Sequence, residues 1–321
     1  MNRDGFLAFS EGASINTDDG AELEFSAPKN LRRATTELNR QLMAPHLIDA
    51  PWLNSRPDGV SGAMHHYYMA ESYLASVSRN RALSELDKAI ELEPKNPKFY
   101  LLQAKILLEQ DRSSDAAKAV FAALEHDSET ISQVLAMSDE FYLPDAKAVY
   151  GRIIQMGTQE LLPYLGLGNI ALHSGEIAEA EKWFTQAREI DPDHPAVLLA
   201  WGRLLAAKAR EQDDRESAKT EFEQAREVLE RSQAKGEDSA TIHAELGEVY
   251  SRLEMWDKMA VSYAEALRMR RSRNDWRRQL GLAYTQLGRI GEAERKYREA
   301  LAFSPDDTEA WRGLQRLGKK Y

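Results

Sequence analysis

No cysteine occurs among the 321 residues, which excludes disulfides, thiolate metal sites and cysteine nucleophiles. No run approaches the roughly 18 to 20 apolar residues that a bilayer-spanning helix requires, so an integral membrane protein is not expected. The opening residues Met1-Asn2-Arg3-Asp4 lack the basic and apolar regions of a signal peptide. The expected location is the cytoplasm, with the periplasm or a membrane surface left open if a signal segment has been removed.

Catalytic signatures are also missing. The seven histidines, at 46, 65, 66, 126, 173, 194 and 243, form no His-Glu-x-x-His pattern or other short metal-ligand spacing. Gly166-Leu167-Gly168 lacks the third glycine of a dinucleotide fingerprint, because position 171 is Ala. There is no Gly-x-Ser-x-Gly elbow and no phosphate loop ending in Gly-Lys-Ser/Thr. The sequence therefore leads to no enzyme, no metal and no cofactor.

The charge is acidic but uneven. The net charge is −10, yet residues 268–321 hold 14 Lys and Arg against 7 Asp and Glu. An acidic body repels a phosphate backbone, so general nucleic-acid binding is not expected. The basic end is sharpest at Arg268, Arg270, Arg271, Arg273 and Arg277. This patch suits an acidic protein partner or peripheral contact with an anionic surface, since arginine presents a rigid fork to oxyanions. A helix end whose carbonyls favour cations would account for the same run.

What is abundant is repetition. Leu280-Gly281-Leu282-Ala283-Tyr284 is followed by Gly288, Ala293, Tyr297, Ala300 and Pro305. The same spacings run from Leu167 and Gly168, with Ala171 at the place of Tyr284, through Gly175, Ala180, Phe184 and Ala187 to Pro192. First helices are predicted to start near residues 63, 97, 131, 161, 195, 240 and 274, mostly 34 residues apart. Small residues fall at one phase of the first helices (Ala70, Ala104, Gly168, Gly202, Gly247, Gly281) and of the second (Ala89, Ala123, Ala187, Ala225, Ala266, Ala300). Two helices approach closely only where such residues occupy the contact. Larger side chains fill the space around it: Tyr73, Leu107, Phe141, Tyr250 and Tyr284 on first helices, and Leu86, Val120, Tyr150, Phe184, Phe222, Tyr263 and Tyr297 on second helices.

Two units are irregular. In the third, the second helix arrives four residues early, at Ala146 and Tyr150, a loss of about one turn. In the fifth it arrives four late, at Ala218 and Phe222. Seven further residues follow around Arg231 to Asp238, with Gly236 marking a helix end. A long, projecting helix pair is predicted there.

In these residues the chain resembles the tetratricopeptide repeat family, over roughly residues 63–321. The resemblance implies an all-α, right-handed α-solenoid of about seven helix pairs over residues 61–321, with a capping helix at 308–320. Trp311 and Leu314 are expected to pack that helix on the last pair, with Arg312, Arg316, Lys319 and Lys320 toward solvent. It also implies a concave groove formed by the first helices. In this chain its positions include Tyr67 and Glu71, then Leu101, Lys105 and Leu108, then Leu165, Asn169 and His173. Arg203, Glu248, Arg252 and Arg278 follow. One subclass of the family clamps a terminal carboxylate with Lys, Asn and Arg; Asn169 and Arg203 suit it, but Leu165 stands where the lysine belongs.

Residues 1–60 do not fit the repeat and are rich in turn signals such as Asp18-Asp19-Gly20 and Ala50-Pro51. Short strands are predicted at 6–10 and 22–26, a helix at 30–43 and an extended stretch after it. Leu47, Ile48, Trp52 and Leu53 would let this arm dock on a partner or on its own first repeats. The expected function is a non-enzymatic scaffold or adaptor for complex assembly, binding one or more proteins. The alternative is a regulatory or substrate-recruiting accessory subunit of an enzyme, envelope or secretion complex.

Overall fold

The computed structural model describes residues 14–16, 22–24 and 60–320. Among the described residues the fold is all-α apart from one short hairpin. The chain divides into two compact units, residues 1–156 and 157–321.

In the first unit, β1 (Ser14–Asn16) pairs antiparallel with β2 (Glu22–Glu24), with Ile15 opposite Leu23. The second strand falls where the sequence places it. Its partner is 14–16 rather than 6–10; pairing the segment nearer in sequence encloses fewer residues and loses less chain entropy. Residues 6–10 and the rest of the arm, including Leu47, Ile48, Trp52 and Leu53, lie outside the described residues.

Helix pairs make up the rest of this unit: α1 (Gly62–Ala75) with α2 (Arg79–Leu92), and α3 (Pro97–Glu109) with α4 (Ser113–His126). Ser61 caps α1 by accepting the Met64 amide, and Asn96 caps α3 ahead of Pro97, whose fixed φ suits the first helical position. Ala70, Leu86, Ala89, Phe99 and Ile106 are fully buried between these helices. Each large side chain so buried contributes about 1.5–3 kcal/mol of hydrophobic stabilisation.

The third pair is the short one. Its first helix, α5 (Ile131–Ala136), ends early, and a 3-10 turn at Ser138–Glu140 leads into α6 (Leu143–Gln155). The missing turn is thus taken from the first helix, while the second is regular. Ser138 holds the place of the small crossing residue; it is buried and donates to the Leu135 carbonyl at 2.7 Å. Phe141 remains buried, although it follows the 3-10 turn rather than sitting on a helix.

The second unit contains α7 (Leu161–His173) and α8 (Ile177–Ile190), α9 (Pro195–Glu211) and α10 (Arg215–Ala234), α11 (Ala240–Arg252) and α12 (Trp256–Met269), and α13 (Asn274–Gln286) and α14 (Ile290–Phe303). A final helix, α15 (Thr308–Lys320), follows. Small first-helix residues lie beneath large second-helix side chains: a Cβ on Gly168 would come within 2.2 Å of the Phe184 ring. Gly247 and Gly281 stand in the same relation to Tyr263 and Tyr297.

In the lengthened pair the residue above Gly202 is Leu229, not the expected Phe222. Leu229 and Ser232, both fully buried, hold the places that Phe184 and Ala187 hold one pair earlier. From the large side chain to the next first helix the distance is then the same, Phe184 to Pro195 and Leu229 to Ala240. The whole insertion therefore lies at the tip of the α9–α10 hairpin, and no extra loop precedes α11. Gly236, at φ 106°, follows the end of α10 as the sequence suggested.

On α15 the buried side is formed by Ala310, Gly313 and Leu317, with Leu314 partly covered. Trp311 is 51% exposed, and its indole Nε1 donates to the Pro305 carbonyl at 3.0 Å. The expectation that Trp311 packs on the last pair is corrected accordingly: its position faces the turn before the helix. Arg312 and Arg316 are exposed, as expected.

Candidate interaction groove

On the first-helix side of the second unit a groove of about 860 Å³ runs over α9, α11 and α13. Arg203, Glu248, Arg252 and Arg278 line it, as do Arg270 and Arg273 from the arginine-rich run. Residues from two separate sequence expectations thus meet in one place. Thr241, Ala244, Ser251, Asp275 and Leu282 also line it at the same helical phase, Trp256 supplies flat apolar surface, and the buried Trp276 lies at its floor. Glu245 and Gln279 were missed by the sequence reading because they lie one position outside that phase.

The groove is densely charged, and most of the charge is matched. Arg203 donates through Nε to Glu245 at 2.9 Å and through Nη1 to the Asn169 side-chain oxygen at 2.8 Å. Burial pushes the Glu245 carboxyl above its ordinary range; Arg203 opposes this and Glu248 reinforces it. Arg210 pairs with Glu248 at 2.8 Å, and Arg215 with Glu254 at 3.6 Å. Arg273 grips Asp275 with two bonds of 2.9 and 2.7 Å and lies 4.6 Å from the Trp276 ring centre. Arg278 reaches Asp307 at 2.8 Å and Glu309 at 3.2 Å, tying α13 to α15. The Tyr263 hydroxyl is held protonated by burial and by Glu248, Glu245 and Asp275.

Other expected residues fall elsewhere. Leu101, Leu108 and Leu165 are buried and belong to the packing, because apolar side chains at those positions are covered by neighbouring helices. His173 and Lys105 are exposed. Tyr67 donates to Glu71 at 3.1 Å and stacks near Phe99; burial, with Glu71 beside it, pushes its pKa up to about 12. Arg268 is occupied by Glu265 at 2.7 Å, and Arg271 is exposed. Arg277 departs from the patch: it is 8% exposed, its guanidinium sits 4.0 Å from the Phe303 ring centre, and burial lowers its pKa. The phase of α13 turns it away from the groove that Arg278 lines.

Three segments of the chain match models described as tetratricopeptide repeat, at residues 85–118, 162–194 and 273–317. No curated protein aligns significantly with the sequence. Among solved structures, a tetratricopeptide repeat protein from Parabacteroides merdae is 11% identical, covering 79% of this chain and 98% of its own, with a TM-score of 0.50. A thermophilic repeat protein of Thermus thermophilus is 24% identical over 60% of this chain and 95% of its own, with a TM-score of 0.43. The C-terminal part of a repeat protein from Cytophaga hutchinsonii is 17% identical over 78% and 96%, with a TM-score of 0.47. With matched segments in both units, on helix pairs spaced mostly 34 residues apart, this chain is a tetratricopeptide repeat protein.

Proposed function

We propose that the protein is a non-enzymatic scaffold or adaptor that holds a segment of another protein in the groove over α9, α11 and α13. Repeats of this family serve in general as protein-interaction scaffolds. The observation that carries the reading is the convergence of polar and aromatic side chains from three first helices and the α12–α13 turn on one open trough. A mixed apolar and hydrogen-bonding trough of this kind suits a helix or extended segment laid along it. Trp256, half-buried at the trough, offers rigid contact area, the kind of side chain that dominates binding energy at interfaces.

A second contact through residues 1–60 would make the protein an adaptor between two partners. The alternative, an accessory subunit that recruits a substrate to an enzyme, uses the same groove and differs only in what the partner does. Affinity purification of the full chain, and of a form lacking residues 1–60, separates these. Retention of the same partner by both forms supports the groove. An enzyme subunit in the eluate favours the accessory role, and nucleic acid as the sole co-purifying species contradicts both.

A further inference from the structure

The lengthened α9–α10 hairpin and the groove charges are connected. Four carboxylates line the groove: Glu245, Glu248, Glu254 and Asp275. Each has a guanidinium within ion-pair distance, and two of these, Arg210 and Arg215, lie in the residues that lengthen the hairpin. The Arg210–Glu248 pair is about one-third exposed on both sides. Arg215 and Glu254 are well exposed, so their pairing cancels charge at the rim rather than holding structure. Arg278 is taken by Asp307 and Glu309.

Two groove cations are left over. Among the described residues, Arg252 and Arg270 have no carboxylate partner; both are exposed, and Arg252 is 5.9 Å from the centre of the Phe222 ring, at the base of the same extension. An incoming carboxylate can therefore pair with a guanidinium without breaking any ion pair within the chain. An incoming cation, by contrast, would meet only carboxylates that each already hold a guanidinium, beside two guanidinium groups that repel it. This asymmetry rests on local matching, not on net charge, which is negative for the whole chain.

We propose that the lengthened hairpin, by neutralising Glu248 and Glu254, sets this groove to select a protein segment rich in side-chain carboxylates interspersed with apolar residues. The inference rests on the groove being the binding site and adds its selectivity. A free chain terminus is not required, since the Asn169 and Arg203 side chains already satisfy each other and Glu245. A continuous phosphate backbone fits less well, because two unmatched arginines stand among four carboxylates.

The test uses the full chain and an end-blocked peptide of Glu, Leu and Ala, with its Gln-for-Glu and Lys-for-Glu counterparts and a single-stranded DNA oligonucleotide. Binding is followed by tryptophan fluorescence at low and high salt, with Trp256→Phe and Trp276→Phe locating the signal. The Glu peptide is expected to bind about tenfold more tightly than either counterpart, with an advantage that shrinks in salt. Arg252→Gln with Arg270→Gln should abolish that advantage. Arg210→Gln with Arg215→Gln, which leaves both groove cations in place, should reduce it by unmasking Glu248 and Glu254. Equal binding of all three peptides, still reported by Trp256 and Trp276, would overturn the selectivity and leave the groove standing. Binding that leaves the two tryptophans silent, or no peptide binding at all, would overturn both. Tighter binding of the oligonucleotide than of the Glu peptide would overturn the choice of a protein segment.

Discussion

Gly202 lies beneath Leu229, so close that a Cβ on the glycine would come within 2.5 Å of the leucine side chain. The same relation holds between Gly168 and Phe184, Gly247 and Tyr263, and Gly281 and Tyr297. A hydrogen at the crossing point lets each second helix set one large side chain against the backbone of the first. The close approach of the helices is thus set pair by pair, by one missing methyl group.

Gly168→Ala should destabilise the second unit by about 1–3 kcal/mol, the usual penalty of overpacking a filled core. Phe184 is fully buried and has no room to retreat. The same substitution at Gly151, a glycine of α6 where an added methyl group would meet nothing within 4 Å, should stabilise by about 0.5–1 kcal/mol through helix propensity. Urea denaturation of the two variants tests the opposite signs.

Val77 follows α1 at φ 64°, a left-handed conformation that a β-branched residue adopts only with strain. Glycine holds the corresponding place at Gly175 and Gly288. Val77→Gly should raise stability by about 1 kcal/mol, the left-handed penalty less the added freedom of the unfolded glycine. A higher urea midpoint with an unchanged slope is the expected result.

Asp307 caps α15, accepting the amides of Glu309 and Ala310 at 3.1 and 3.0 Å as well as the Arg278 guanidinium. Burial alone would raise its pKa, but these bonds outweigh burial and hold it below 3.8. Because the folded value is depressed, the stabilisation is fully present above about pH 3.8 and is lost as pH falls through the lower folded value. Asp307→Ala should cost about 1–2 kcal/mol at neutral pH through loss of the cap. It should also remove that acid-dependent loss. Hydrogen exchange of the α15 amides across this pH range reads both effects.

Removing residues 208–211 and 215–221, with Asp213→Gly to supply a left-handed turn residue, should convert the lengthened hairpin into a regular pair. α9 would then end after thirteen residues like α7, and Leu229 would stand seven residues into its helix like Phe184. The shortened protein is expected to keep its helical circular dichroism and cooperative unfolding. Removing the seven α10 residues alone should not be tolerated, since it leaves the two arms of an antiparallel hairpin unequal.

Most of the fold is legible in the sequence because the repeat writes the same contact many times. Gly281 and Tyr297 announce Gly168 and Phe184, and seven pairs with a final helix follow from that spacing. The fifth pair misleads because Phe222 with Ala225 imitates the ring-and-small-residue pattern seven residues before the true partners, Leu229 and Ser232. Seven residues are nearly two helical turns, so both sets share one face. In the groove, helical phase locates Glu248, Arg252 and Arg278. It says nothing of which charges cancel: Arg210 and Glu248 are 38 residues apart and meet only because the hairpin is long. Nor does a run of arginines reveal that Arg277 turns inward over Phe303 while Arg270 faces the groove.

The groove itself is tested most directly by site-specific photocrosslinking in the cells that make the protein. A photoreactive residue at Gln279, in the groove lining, is compared with one at Val261, which is 66% exposed and lies outside it. Binding in the groove predicts a discrete protein adduct from position 279 and none from position 261. An adduct from 261 alone would contradict it.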